Sequence, residues 1–343
     1  MLKYSGQALR RFADRLKPAT TSLRVSMLGP SGVGKTSMLA TMYDQMESVV
    51  VREDLQLTPD PDDADELDRK IVQLQRLFAT DGLKPDMAAG ISGTADWRAF
   101  DFALGRRGKK PTLRLEFVDY PGGWIEDSAG SQQREWVRGL IRDSDAILIP
   151  IDTPALLERN GLWHRSRNRP DFIHNMLQLA LEDLPSPRLI ILAPIRCERY
   201  IRDGVSRQML GKRVVEGYDK LLGHLSFGRL GELAAVVITP IQTVGELEYH
   251  GSPKDRYLPV FRKQQADAKY NPIDSEQPLR YVIRFALRLH GDRRDASYFR
   301  MMRQLLGSDR YLLEAANAFA TGCKTDEDGF LILQGAEWLT MQP

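Results

Sequence analysis

The run Gly29-Pro30-Ser31-Gly32-Val33-Gly34-Lys35-Thr36, followed by Ser37, restricts this chain more than any other feature. It fits G-x-x-x-x-G-K-[ST] at every fixed position, a spacing in which glycines let the main chain wrap closely around phosphates. A short β-rich run, Leu23 to Leu28, precedes it, and the pattern predicts a helix from about Lys35 to Met46 after it. The context matters because a helix N-terminus offers unpaired N–H groups and a favourable dipole to an anion. Lys35 is expected to neutralise β- and γ-phosphates and the Thr36 hydroxyl to ligate Mg²⁺. Gly29, Pro30, Ser31, Gly32, Val33, Gly34 and Ser37 complete the expected nucleotide-binding loop.

The elements around this loop define the fold class. Trp97–Leu104 alternates and ends in Gly105-Arg106-Arg107-Gly108, so a hairpin turn should return through Leu113–Val118. A polar helix is expected over Ser131–Arg142. Ala146–Ile151, Leu189–Ala193 and Ala234–Ile238 are continuous apolar runs, the mark of strands buried on both faces. Helices are expected between them, over about Asp171–Leu181 and Val205–Leu225, and again over about Pro278–His290. The alternation predicts an α/β protein with a mostly parallel sheet, one antiparallel edge strand and helices on both faces. Residues 50–90 read as an insertion, acidic around Pro59-Asp60-Pro61-Asp62-Asp63 and then helical from about Asp65 to Phe78.

The expected organisation is an N-terminal amphipathic helix within residues 1–22, a nucleotide-binding domain over 23–290, and a small, partly helical C-terminal appendage over 291–343. The formal net charge of +2 gives no global argument for nucleic acid or an anionic membrane. The basic cluster Arg106–Lys110 sits at a hairpin tip and reads as a solvated turn. No stretch approaches the roughly 18 to 20 apolar residues of a membrane span. Two cysteines, Cys197 and Cys323, cannot make a disulfide framework and suit a reducing compartment, so a cytoplasmic location is expected. The histidines lack metal-ligand spacing, His164 beside Trp163 included, and no G-x-S-x-G nucleophile motif occurs.

An acid near Mg²⁺ is needed at the end of a neighbouring strand. Asp119 stands there and opens Asp119-Tyr120-Pro121-Gly122-Gly123-Trp124, a D-x-x-G motif whose Gly122 can present its N–H to a γ-phosphate. The phosphate loop, the antiparallel strand pair and Asp119–Gly122 together resemble the translation-factor-related (TRAFAC) class of P-loop GTPases. The segment Tyr120–Trp124 is similar to that of the bacterial YcjX-like predicted GTPases and of the bacterial double-GTPase group.

That resemblance implies GTP with Mg²⁺ and a nucleotide-state switch acting on an effector protein. It places a switch threonine before the edge strand, where Gly93-Thr94 lies, with Ser92 as the alternative. Thr94 would join Thr36 and Asp119 at the metal, and Thr94, Gly122 and Lys35 would act on the γ-phosphate. The base-reading motif N-K-x-D falls at Ile195-Arg196-Cys197-Glu198, a clear departure. The Glu198 carboxylate can still accept from guanine N1–H and the amino group, which adenine cannot match, and Arg196 can stack on the purine. ATP is the alternative nucleotide. The last guanine-side loop follows the strand Ala234–Ile238, with Thr239 and Gln242 as candidates.

Many relatives place a glutamine directly after D-x-x-G to orient water, and Gly123 stands there instead. Either another residue serves, intrinsic hydrolysis is slow, or a partner completes the site. Glu126 and Asp127 are near in sequence. Arg165, Arg167 and Arg169 are the candidates for a charge-stabilising arginine, supplied in cis or across a homodimer. A module that holds GTP with little turnover is the rival reading.

Overall fold

The computed structural model of the protein describes residues 22–50, 55–78, 97–109, 111, 113–125, 129–291, 310–325 and 329–340. Five parallel strands form its centre: β1 (Ser22–Met27), β4 (Leu113–Asp119), β5 (Ala146–Asp152), β6 (Arg188–Ile195) and β7 (Ala234–Ile238). β2 (Leu55–Pro59), β3 (Arg98–Arg106) and β10 (Leu331–Gln334) complete one sheet in the order β10-β7-β6-β5-β1-β4-β3-β2. All residues of β5, β6 and β7 are buried, as their uninterrupted apolar runs require of strands covered on both faces.

Helices cover both sides. On one face α1 (Lys35–Val50), α6 (Gln277–Gly291) and α7 (Arg310–Thr321) bury Met38, Met42, Phe285 and Phe319. On the other, α3 (Ser131–Arg142), α4 (Pro170–Ala180) and α5 (Gly204–Gly217) bury Val137, Ile173 and Val214. The chain is thus a P-loop-type α/β fold with a mostly parallel sheet. The first hairpin strand, β3, is antiparallel to the return strand β4 as expected, but β2 pairs outside it, and β10 adds a second antiparallel strand beside β7. Through β10 and α7, described residues of the C-terminal segment belong to the main sheet and core.

The insertion carries α2 (Pro61–Arg76), which begins four residues before the expected Asp65. Its start follows the ordinary rules of helix entry: the Asp60 side chain accepts from Asp62 N, Pro61 fills the first turn, and Asp62 and Asp63 face the positive end of the dipole. Asp63 also docks the helix, accepting from Arg98 Nη2 at 3.0 Å and from Asp101 N at 2.9 Å. Leu67, Ile71 and Leu74, at helical spacing, form its buried face. A hairpin not foreseen from the sequence, β8 (Leu247–Gly251) with β9 (Val260–Lys263), follows β7. The N-terminal helix read within residues 1–22 and the switch segment with Ser92, Gly93 and Thr94 lie outside the described residues, as do Glu126 and Asp127.

Candidate functional site: a phosphate loop with a base-side cleft

Parallel strands end on the same edge of their sheet, and ligands gather there. The phosphate loop leaves β1, Asp119 ends β4, Asp152 ends β5, and Ile195–Glu198 follows β6. Four functional segments, distant in sequence, therefore meet.

Within the loop, Gly34 has φ +114°, and a Cβ there would come within 2.7 Å of Ile195 Cδ1. Only glycine fits both the backbone conformation and the space. Lys35 is nearly buried, its Nζ donating to the Gly29 carbonyl at 2.9 Å and lying 3.9 Å from Asp119 Oδ1. The Thr36 hydroxyl donates to Asp119 Oδ2 at 2.6 Å. Two of the three residues assigned to the metal from sequence thus touch across 83 positions. A hydroxyl and a carboxylate are hard oxygen donors of the kind Mg²⁺ takes together with phosphates and water, so the residues fit that ion. Among the described residues no cluster of three His, Cys, Asp or Glu offers another metal site.

Gly122 packs directly on the loop. A Cβ built on it would stand 1.9 Å from Ser31 N and 2.3 Å from Pro30 C. The short 3₁₀ turn Gly122–Ile125 that carries it is held by aromatic packing, with Trp124 edge-on to Trp136 at 5.2 Å and Tyr120 at 6.2 Å from the same ring. Tyr120 is fully buried, with its ring centroid 5.5 Å from Lys35 Nζ, and burial pushes its phenol well above the ordinary value. Gly123, by contrast, faces open space: a Cβ there meets nothing within 4 Å.

Beside the loop lies a small cleft with a cavity volume of about 60 Å³. Gly34 and Ser37 of the loop line it, with Arg196, Val244, Leu247 and Phe261 forming much of the rest. Arg196 sits at φ +57°, a conformation that costs a non-glycine residue about 1–3 kcal/mol. Its Nη1 donates to Asp152 Oδ2 at 2.7 Å and its Nη2 to the Gly32 carbonyl at 3.2 Å. The base-side loop is therefore tied to the phosphate loop by an arginine. Asp152 is fully buried, also accepts from Tyr257 Oη at 2.5 Å, and has its own N–H and carbonyl bonded by Asn168.

Glu198 is buried, its Oε1 accepting from Val244 N at 3.2 Å. Burial raises its carboxyl to about 7, against the pull of backbone N–H groups and Arg196. Its Oε2 has no hydrogen-bond partner among the described residues. Thr239 is fully buried at the end of β7 and does not line the cleft; Thr243 and Val244 do. Gln242 bonds Ile273 through its backbone. Cys197 is a free, buried thiol donating to the Ile241 carbonyl, and burial raises it well above its usual range.

Of the three candidate arginines, Arg167 comes to the phosphate loop. A Cβ on Gly32 would lie 3.4 Å from its Nη2, and its guanidinium stands 5.2 Å from the Tyr257 ring centroid. Arg165 pairs at the surface with Asp171, and Arg169 lies over Phe172. Asp152, Tyr257, Thr243 and Phe261 were not picked out from the sequence. Only Asp152 carried a signal, an acid ending an apolar parallel strand.

A phosphate loop, a D-x-x-G turn packed against it and a base-side cleft at the end of β6 define a P-loop domain of the TRAFAC GTPase class. The Double-GTPase 2 family profile matches residues 23–194, half of the chain. The chain belongs to the Double-GTPase 2 family. No curated protein matches it. Among solved structures it is similar to the GTPase-like domain of S. cerevisiae Ski7, bound to GTP, with 12% identity and a TM-score of 0.37. That match covers 68% of this chain and 45% of the other, so the chain spans less than half of that relative's length.

Proposed function

We propose that this protein binds GTP with Mg²⁺ through residues 23–290, hydrolyses it slowly, and presents its nucleotide state to an effector protein. The observation that carries the reading is the 2.6 Å bond from Thr36 to Asp119, made beside a Gly122 packed on the loop backbone. Lys35 and the loop amides hold the β- and γ-phosphates. Thr36 and Asp119 hold the ion, joined by Thr94 from the first switch. Bound Mg²⁺ supplies neutralisation of phosphate charge. The Gly122 N–H and Thr94 sense the γ-phosphate, and loss of that group releases both segments to change a partner surface. Arg196 lies against the purine, and the Oε2 of Glu198 accepts from guanine N1–H and its amino group. Family membership supports GTP over ATP.

Hydrolysis lacks a side chain at Gly123, and Arg167, beside Gly32, would stabilise developing phosphate charge. The open space at Gly123 favours one second reading, a module that holds GTP with little turnover. Single-turnover release of phosphate from GTP separates them. A rate below about one per minute that is independent of protein concentration supports intrinsic slow turnover; typical enzymes run near 10 per second. A rate that rises with concentration means that a second copy completes the site, and no release at all supports the holding module.

A further inference from the structure

His164 and Asn168 have no part in holding the nucleotide, yet they form a buried hydrogen-bonded clasp beside the candidate arginine. Asn168 is fully buried and His164 is 9% exposed. One donor fixes the orientation of the whole set. Asp152 N can only donate, so the Asn168 atom 2.8 Å from it is the side-chain oxygen. Asn168 Nδ2 then donates to the Asp152 carbonyl at 3.1 Å and, with its second hydrogen, to His164 Nδ1 at 3.0 Å. His164 Nδ1 must therefore accept. Its proton is left on Nε2, which donates to the Gly217 carbonyl at 3.1 Å. Burial lowers the imidazole below its ordinary value, in keeping with a neutral ring.

The clasp closes the chain from Asp152 to Asn168 on itself across 16 positions. Within that segment Arg159 and Asn160 sit at φ +51° and +55°, and Arg169 follows it at φ +50°. Such backbone costs a non-glycine residue about 1–3 kcal/mol and persists only where surrounding bonds over-determine it. The short helical turn His164–Arg167 brings Arg167 directly before Asn168. Arg167 Nη2 comes to Gly32, and its Nε is buried with no hydrogen-bond partner among the described residues. Its guanidinium lies over the Tyr257 ring, and the Tyr257 hydroxyl bonds Asp152 Oδ1. Arg167 is thus fastened to Asp152 twice, through the Asn168 next to it in sequence and through the ring it lies over.

We infer that Asn168, with His164 behind it, is a positioning residue that holds Arg167 at the phosphate loop for hydrolysis. The inference rests on the proposed GTP hydrolysis and on Arg167 as its charge-stabilising group. A guanidinium speeds phosphoryl transfer only when it waits where charge develops, and misplacement by about 1 Å costs about 10²-fold in rate. Asn168 acts through Arg167 alone, so its loss should matter only while Arg167 is present.

The test measures GTP affinity, and single-turnover phosphate release with protein in excess, for the whole chain and for Asn168→Ala, Arg167→Ala and the double variant. Asn168→Ala should cut the rate by about 10²-fold and leave GTP affinity within about 10-fold of wild type. The double variant should release phosphate at the rate of Arg167→Ala, because the clasp then has nothing left to position. A rate unchanged by Asn168→Ala overturns the inference. So does a loss that multiplies with that of Arg167→Ala, or a fall in affinity as large as the fall in rate, since either makes Asn168 a support for the fold. If Asn168→Ala does not fold, His164→Phe decides, because it removes the acceptor facing Asn168 Nδ2 and keeps a ring in place. It should slow wild type by about 10-fold and the Arg167→Ala variant not at all, and an unchanged wild-type rate overturns the inference. Wild type that binds GTP but releases no phosphate overturns the inference and leaves GTP binding standing. Wild type that binds no GTP overturns the GTP-binding reading, and the inference with it.

Discussion

Gly122 and Ser31 are in backbone contact: a single methyl group on Gly122 would fall 1.9 Å from the Ser31 nitrogen. No real Cβ sits so close to another atom, so any side chain at 122 must push the D-x-x-G turn off the phosphate loop. Gly122→Ala should therefore lower affinity for a non-hydrolysable GTP analogue by at least about 10-fold while GDP affinity changes little, since the proposed contact that is lost is to the γ-phosphate. Equal affinity for the analogue in wild type and variant, measured by calorimetry, would remove Gly122 from the switch.

Thr36 and Asp119 are the metal side of the proposed site. Thr36→Ala should reduce GTP affinity in Mg²⁺ by roughly 10-fold or more, to the level wild type shows in a chelator, and Thr36→Ser should restore it. A variant that keeps the full Mg²⁺ effect would show that the hydroxyl serves only its bond to Asp119.

If Glu198 reads the base as proposed, it should give nucleotide choice a pH dependence. Its folded value of about 7 lies above its ordinary 4.5 because burial disfavours the charged form. Guanine's donors need the carboxylate, so the ratio of GTP to ATP affinity should rise about 10-fold between about pH 6 and pH 8. Using the ratio cancels titration of the phosphates. The stability effect has the opposite sense: a raised carboxyl binds more protons folded than unfolded, so its contribution is greatest below 4.5 and declines until about 7. Glu198→Gln should flatten the nucleotide ratio and remove that decline from pH-dependent melting. A ratio that still climbs in the variant assigns base reading elsewhere.

Arg167 is the one candidate arginine beside Gly32. Arg167→Ala should cut the GTP turnover rate by roughly 10³-fold with GTP affinity altered less than about 10-fold, and lysine should not rescue it. Arg165→Ala, at a surface pair with Asp171, serves as the comparison. A turnover rate unchanged by Arg167→Ala would leave Arg167 as packing on Tyr257 alone.

What could be read from the sequence was local. The phosphate loop, the β3–β4 return and the buried strands β5 to β7 each carry their signal within about ten residues, as spacing, alternation or an unbroken apolar run. The start of α2 was also written locally, in Asp60-Pro61-Asp62-Asp63, but those residues read equally as an acidic loop until β3 supplied Arg98 and Asp101 to dock them. The base side was the least legible. Arg196 meets Asp152 across 44 positions and Tyr257 meets it across 105. Glu198 turns to an amide 46 positions on. Thr239 matched the place of the last guanine-side loop by element order, yet the chain runs on for four residues before Thr243 reaches the cleft. Phe261 belongs to a hairpin that element order alone does not predict.

The most direct measurement is equilibrium titration of GTP, GDP and ATP with Mg²⁺ against the whole chain and Lys35→Ala. Lys35 is held between the loop carbonyls and Asp119, the place the proposed phosphate role requires. Wild type is expected to bind GTP more tightly than ATP, and Lys35→Ala to lose both nucleotides. Wild type that binds no nucleotide, or a Lys35→Ala variant that binds GTP as wild type does, would contradict the assignment of this loop as the GTP site.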